Sequence, residues 1–515
     1  MKYENQKEPK KKEPNKRIIV LLWLLQVIAE VLAVAVVWRL DMLPAKYFLV
    51  LAAVLILLAL MTGALLLPSR RGSFRRGFGV FLSVVIFIGS CAVTILVADV
   101  HGTISKLTGK GTVQASVSVY VKTEDPAESI NDAADYRFAI VEGYDTERTQ
   151  EAIDSIEEKL DKQLDITAYS DVQAMLEDFF SGDIGALILN SAYTTVLEDL
   201  DGYEDFSDQV RALHEVEIIV QNNSLWEQWR ENFGGNVSET PKSGDITQDS
   251  FVVYISGSDT RNKKLVVGRS DVNILAVVNP KTKQILLLNT PRDYYVANPA
   301  GNGAMDKLTH CGNFGIECSM EALSNLYDIQ VDYYAQINFT GFETLIDAIG
   351  GVTVYSDTAF STGSGISFNK GENTLNGTQA LAFARERKHL ASGDNARGKN
   401  QMKVIKAVIN KLTSGSTIIS NYAGIMESLE GMFATSLSMS DISSLVKMQL
   451  SDMAQWNILS YAVTGNGGSD ITYSVPGQKL YVMYQDKALV SYASELIDRV
   501  IADDILTEED MTAPS

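Results

Sequence analysis

The chain has 515 residues, is 46% hydrophobic and carries a formal net charge of -20. That length exceeds one ordinary domain. So acidic a chain is poorly suited to a phosphate backbone, which is bound through basic surfaces, so no nucleic acid partner is expected.

Residues 1–17 form a basic tail with Lys2, Lys7, Lys10, Lys11, Lys12, Lys16 and Arg17. Three apolar runs follow, 18–38, 47–67 and 77–98. Each has about 20 residues, the length a helix needs to cross a bilayer. The first run lacks a small-residue cleavage site and two more follow it, which argues against a signal peptide. Glu30 lies inside the first run, where an acid is expected to face a neighbouring helix rather than lipid. The loop between runs two and three has Arg70, Arg71, Arg75 and Arg76, whereas the loop between runs one and two has only Arg39 and Lys46. The positive-inside rule then places the tail and the second loop in the cytoplasm, and everything after about residue 100 outside the cell. Anionic membrane lipids are the expected neighbours of the tail. The part beyond residue 99 holds 31 Lys+Arg against 58 Asp+Glu, a net of -27.

Residues 112–231 read as a small α/β accessory domain. Strands at 136–141, 164–170 and 184–190 alternate with helices at 147–160 and 171–180, which predicts a parallel sheet. No residue set in it looks catalytic. Residues 232–250, rich in Gly, Ser, Thr and Asn, predict a linker, and a second α/β domain runs from 251 to 505.

That domain opens with a strand at 251–256 and places Asp259 just past its end. Arg269 and Asp271 stand just before a strand at 272–278, "NPKTKQ" makes a tight turn, and Arg292 and Asp293 follow the third strand. The second and third strands form a hairpin, so the start of one lies beside the end of the other and Asp271 shares a rim with Arg292. If the first strand pairs antiparallel with the second, Asp259 joins them. A surface ion-pair cluster would produce the same pattern without a function.

"LAFARERKHLASGDNARGKNQ", 381–401, gathers Arg385, Arg387, Lys388, Arg397 and Lys399 against only Glu386 and Asp394. Residues 375–383 predict a short helix. "ARERK" is read as a strand, because side chains two apart then share a face, which aims Arg385 and Arg387 the same way. A helix over 396–412 follows, with an apolar stripe of Met402, Ile405, Val408, Ile409 and Leu412. Arg397 and Gln401, four apart, share a face near its N-terminus, a place that favours anions. Arginine suits bidentate phosphate contact. Two aspartates suit a hard divalent cation, Mg²⁺ or Mn²⁺. With no nucleophilic triad evident, the set points to phosphoryl chemistry run by positioning and electrostatics. Cys311 and Cys318, in "THCGNFGIEC" outside the membrane, are expected to form a disulfide, with two free thiols as the alternative. Cys91 sits in a span as a packing residue.

The ordered segments "GSDTR", "GRSDVNILAVVNPKTKQILLLNTPRD", "DYYAQINFTGFETLIDAIGGVTV", "LNGTQALAFARERK", "GDNARGKNQ" and "ITYSVPGQKLYVM" resemble the LytR-CpsA-Psr family over 251–490. The three spans and extra outer domain are similar to its CpsA-like branch. The resemblance implies a mixed β-sheet flanked by helices, α/β overall. It also implies a membrane-bound phosphotransferase that moves a glycopolymer, such as capsular polysaccharide or teichoic acid, from a polyprenyl-diphosphate carrier to peptidoglycan through a phosphodiester. By the same likeness, Asp259 and Asp271 serve the metal, and Arg269, Arg292, Arg385 and Arg387 hold the diphosphate. Arg397 and Gln401 complete the pocket, and residues 321–351 help form a lipid groove. Asp259, Asp271, Arg292, Arg385 and Arg387 form the expected catalytic set. One position departs from the family: Asn400 precedes Gln401 where an arginine is common, with Lys399 as a partial substitute. A non-catalytic regulator of wall-polymer synthesis and a lipid pyrophosphatase are the competing readings.

Overall fold

The computed structural model describes residues 16–67, 73–108, 113–220, 244–258, 264–390, 393–414, 425 and 428–513. Most of the basic tail, linker residues 232–243 and Asp259 lie outside that set. The chain divides into two compact units, one of residues 1–104 with 442–452, the other of 105–441 with 453–515.

The first unit contains α1 (Lys16–Leu40), α2 (Ala45–Leu66) and α3 (Ser73–Thr108). Within them, Arg17–Leu40, Ala45–Leu66 and Phe74–Ala98 are long and apolar enough to cross a membrane. The Trp23 indole N–H donates to the Ala59 carbonyl at 3.0 Å, which locks α1 to α2. Glu30 is buried, with its Oε1 accepting from Gln26 Nε2 at 2.9 Å. The costly acid is thus kept from lipid by a polar neighbour one turn away. A segment distant in sequence joins this unit. Lys447 pairs with Asp41 at 2.7 Å, and Lys46 Nζ donates to the Ser451 carbonyl at 2.7 Å.

The second unit holds two sheets. In the accessory domain, β1 (Val113–Lys122), β2 (Arg137–Val141), β3 (Asp165–Tyr169), β4 (Ala186–Asn190) and β5 (Val210–Val220) take the order β3-β2-β4-β1-β5. The three strands read from sequence are parallel, but β1 and β5 add antiparallel pairings, so the sheet is mixed rather than parallel. Helix α4 (Thr146–Leu160) buries Ala152, Ile153 and Ile156 at helical spacing, and α5 (Val172–Ser181) is capped by Asp171, whose carboxylate accepts from the N–H groups of Gln173 and Ala174.

The larger sheet contains β6 (Phe251–Ser258), β7 (Ser270–Asn279), β8 (Gln284–Asn289), β9 (Tyr333–Asn338), β10 (Phe433–Thr435) and β11 (Asn457–Ala462), in the order β10-β9-β6-β7-β8-β11. β6, β7 and β8 form the antiparallel meander, β9 runs parallel to β6, and β11 parallel to β8. Every residue of β8 is buried, as befits a strand covered on both faces. On one face Val252, Tyr254, Leu275 and Val277 alternate inward against Ala322, Leu323, Leu496 and Ile497 of two amphipathic helices, Ile316–Tyr327 and Lys487–Ile501. The result is a mixed sheet flanked by helices, the α/β class the sequence implied.

Cys311 and Cys318 are free, buried thiols in contact with one another, not bonded as the expected disulfide. Both pack into the core under the larger sheet, and Cys318 Sγ donates to Asn298 Oδ1 at 3.4 Å. Each acts as a small hydrophobe.

Two further helices position the site: α6 (Phe339–Ala348) and α7 (Gly377–Arg385). α7 starts with a capping box in which Asn376 accepts from the Gln379 N–H and Gln379 reaches back. A Cβ at Gly377 would stand 2.2 Å from the Glu343 carbonyl oxygen of α6, a backbone atom that cannot swing aside. Gly377→Ala is therefore expected to force the two helices apart. Overpacking of this kind costs roughly 1–3 kcal/mol, read as a lowered Tm of the full-length protein in detergent.

A candidate anion site at the strand ends

The hairpin fixes the rim. Asn279 pairs with Gln284 across the turn, and at the far end Arg292 Nη1 donates to Asp271 Oδ1 at 3.0 Å. β6 is antiparallel to β7, as adjacency required, and its last residue Ser258 lies opposite Ser270. The parallel β9 ends at Asn338 beside Ser258. The ends of β6 and β9 and the start of β7 thus open onto one cavity of about 390 Å³. A crevice beyond strand carboxyl ends is a common ligand position in α/β folds.

Five arginines line this cavity: Arg269, Arg292, Arg385, Arg387 and Arg397. Asp271 and Gln401 line it too. Arg269, Arg397 and Gln401 are buried, whereas Arg385 and Arg387 are exposed, so the cations run from floor to mouth. Apolar side chains line the cavity as well, Ile255, Val272, Ile337, Phe339, Phe342 and Leu381 among them. Of the apolar stretch 321–351, only Ile337, Asn338, Phe339 and Phe342 reach the cavity, while Ala322, Leu323 and Tyr327 belong to the core.

"ARERK" is not a strand. Arg385 is the last residue of α7, and the chain turns extended at Glu386. The helix persists because Ala380, Leu381, Phe383 and Ala384 bury one face. Both arginines still reach the cavity, since the helix stops between them. The Arg385 guanidinium lies over the Phe339 ring at 4.4 Å, a cation–π contact that orients it. Glu386 turns aside, accepting from the His389 N–H at 3.0 Å.

Helix α8 (Gly393–Thr413) presents Arg397, Gln401 and Ile405, four apart, to the cavity. Asn400 does not face it. Its side chain is buried and donates to the Phe383 carbonyl at 3.4 Å, tying α8 to α7. Lys399 is exposed and not among the lining residues, so it does not stand in for an arginine there. Sequence reasoning also missed three acids on the cavity wall, Glu198, Asp199 and Glu204, all from the accessory domain. Nothing near residue 199 in the sequence marks it.

Asp271 is almost enclosed. Burial alone would raise its pKa, but Arg292, Arg269 and Arg397 around it outweigh that and hold it below the usual aspartate range. Among the described residues no group of three or more His, Cys, Asp or Glu is placed to hold a metal.

These features define a class: a chain with three helices able to span a membrane and an α/β unit whose arginine-lined cavity also has apolar side chains in its lining. The LytR_cpsA_psr family model matches residues 216–491, and the chain belongs to that family. It is 38% identical over 216 residues to a polyisoprenyl-teichoic acid–peptidoglycan teichoic acid transferase TagU of Bacillus licheniformis, covering 41% of this chain and 69% of that one. A TagU of Oceanobacillus iheyensis is 37% identical over 227 residues, covering 43% and 68%. The crystal structure of Bacillus subtilis TagV aligns over 50% of this chain and 99% of its own, at 25% identity and a TM-score of 0.41.

Because the folded pKa of Asp271 is depressed, its ion pair stabilises the fold above the ordinary aspartate pKa of about 3.9, and that contribution disappears as pH falls through the lower folded value. Asp271→Asn should thus destabilise the protein at pH 7 by on the order of 2 kcal/mol, since it strips a buried arginine of a partner. The difference from wild type should shrink towards pH 3, as followed by thermal unfolding.

Proposed function

We propose that this chain is a membrane-anchored phosphotransferase that moves a glycopolymer from a polyprenyl-diphosphate carrier onto peptidoglycan. The observation that carries the reading is the presence, in the lining of one cavity, of five arginines together with apolar side chains. A diphosphate on a polyprenyl chain has this duality, a compact anion joined to a long apolar tail. The transferase names of the relatives support the same chemistry.

In this reading an acceptor sugar hydroxyl attacks the phosphorus that carries the glycopolymer. The new P–O bond makes the phosphodiester, the P–O bond to the carrier's phosphate breaks, and polyprenyl monophosphate leaves with the electron pair. Arg269, Arg292 and Arg397 hold the phosphates at the floor, and Arg385 and Arg387 take up the charge that develops on the oxygens. Asp271 aligns Arg292. With its basicity depressed it is a weak proton acceptor, so of the two aspartates Asp259 is assigned the hydroxyl proton. Asp271 and Asp259 would hold a Mg²⁺ or Mn²⁺ ion, which supplies charge neutralisation to the phosphate oxygens when bound. The spans anchor the enzyme where a lipid carrier is met, with the basic tail in the cytoplasm and the site outside.

The test is to incubate the full-length protein with a polyprenyl-diphosphate oligosaccharide, peptidoglycan fragments and Mg²⁺, reading products by mass spectrometry. A joined phosphodiester product is expected, with kcat/KM lowered roughly 100-fold or more in Arg387→Ala and Asp271→Ala, and lost on chelation with EDTA. Free phosphorylated saccharide without joining would instead make the chain a pyrophosphatase. Tight binding with no turnover would leave a regulator.

A further inference from the structure

The accessory domain reaches into the anion site through one carboxylate. Asp199 lies just past the short helix Thr194–Leu197 and lines the same cavity as the arginines. Its Oδ1 accepts from Arg269 Nη1 at 3.2 Å, and its Oδ2 from Lys307 Nζ at 2.8 Å. His310 Nε2 stands 3.6 Å from the same Oδ2. Lys307 in turn meets Asp293 at 3.5 Å, and Asp293 meets Arg292 at 3.5 Å. A continuous chain of alternating charges therefore runs from Asp199 to the Arg292–Asp271 pair. Burial pushes the Asp199 pKa up, but His310, Lys307 and Arg269 hold it far below the usual aspartate range, so the carboxylate is charged.

Other contacts also dock the accessory domain. Arg148 donates from Nη1 and Nη2 to the carbonyls of Asn313 and Phe314 at 3.3 and 3.4 Å, and the Tyr193 hydroxyl donates to the Ser474 carbonyl at 2.7 Å. Val475 and Leu480 join the accessory core. Those contacts lie away from the cavity wall, whereas Asp199 stands on it and touches an arginine that lines it. A guanidinium is a planar fork whose usefulness to a phosphate depends on its orientation, and a long side chain ordered before binding loses less freedom on binding.

We infer that Asp199 is a positioning residue for the donor diphosphate, holding one edge of the Arg269 guanidinium so that the accessory domain completes the anion site. The inference rests on reading the cavity as a diphosphate site. It makes the accessory domain a working part of the pocket rather than a spacer.

The experiment is a double-mutant cycle on the full-length protein in lipid nanodiscs, with farnesyl diphosphate as the probe and equilibrium affinity as the readout. Arg269→Ala is expected to weaken binding about tenfold in the wild-type background but only about twofold beside Asp199→Asn, a coupling of the size that contacting residues show. Asp199→Glu, which keeps the charge, should retain most of the coupling. Additive effects of Asp199→Asn and Arg269→Ala would overturn the inference. Wild-type protein that binds the probe but joins nothing to peptidoglycan would defeat the transferase reading and leave the cycle to decide the role of Asp199.

Discussion

Five guanidinium groups cannot share one cavity unless their mutual repulsion is offset before any substrate arrives. For Arg292 and Arg269 the structure meets this constraint with carboxylates set beside them. Asp271 takes Arg292, Asp293 bridges Arg292 to Lys307, and Asp199 bridges Lys307 to Arg269. Each acid is itself largely enclosed, so the attraction is little screened by water. The site therefore contains a chain of alternating charge that runs from Arg269 to Asp271. An anion entering it completes a pattern that is already ordered, and that ordering lowers the entropic cost of binding.

The larger sheet makes such a chain of charge possible. Strand β8 is buried along its length and β6, β7 and β8 form one meander, so the rim carrying Asp271 and Arg292 has little freedom to move. The helices contribute from the other side. α7 ends at Arg385 because the chain extends at Glu386, and α8 aims Arg397 and Gln401 by their four-residue spacing. Asn400, facing the other way, joins these two helices. An arginine at that position would have to leave a buried slot between helices, which is a physical reason for the shorter, neutral side chain.

Much of this was legible in the sequence where the determining interactions are local. The hairpin could be read because two apolar runs flank a tight turn, and the turn fixes which ends meet. The Asp271–Arg292 contact followed from that alone. The helix carrying Arg397 was legible from its apolar stripe. "ARERK" was misread because a two-residue spacing suits a strand, while burial of Phe383 and Ala384 decided for helix up to Arg385. The mixed accessory sheet was missed because β1 and β5 pair across nearly a hundred residues. Asp199 was invisible for a similar reason. It meets Arg269 only after two domains dock, and no local pattern records that meeting. The two cysteines were read through their compartment, whereas their surroundings are apolar core.

The gradient of exposure across the arginines has a kinetic consequence. Arg385 and Arg387 stand at the exposed mouth, where dissolved salt weakens their pull within about 10 Å at 0.1 M. Arg269 and Arg397 lie buried at the floor, where salt reaches them far less. Capture and retention of an anion are thus governed by different residues under different screening. Ionic strength should slow arrival much more than it hastens departure, so the site would keep its grip in media that blunt its reach.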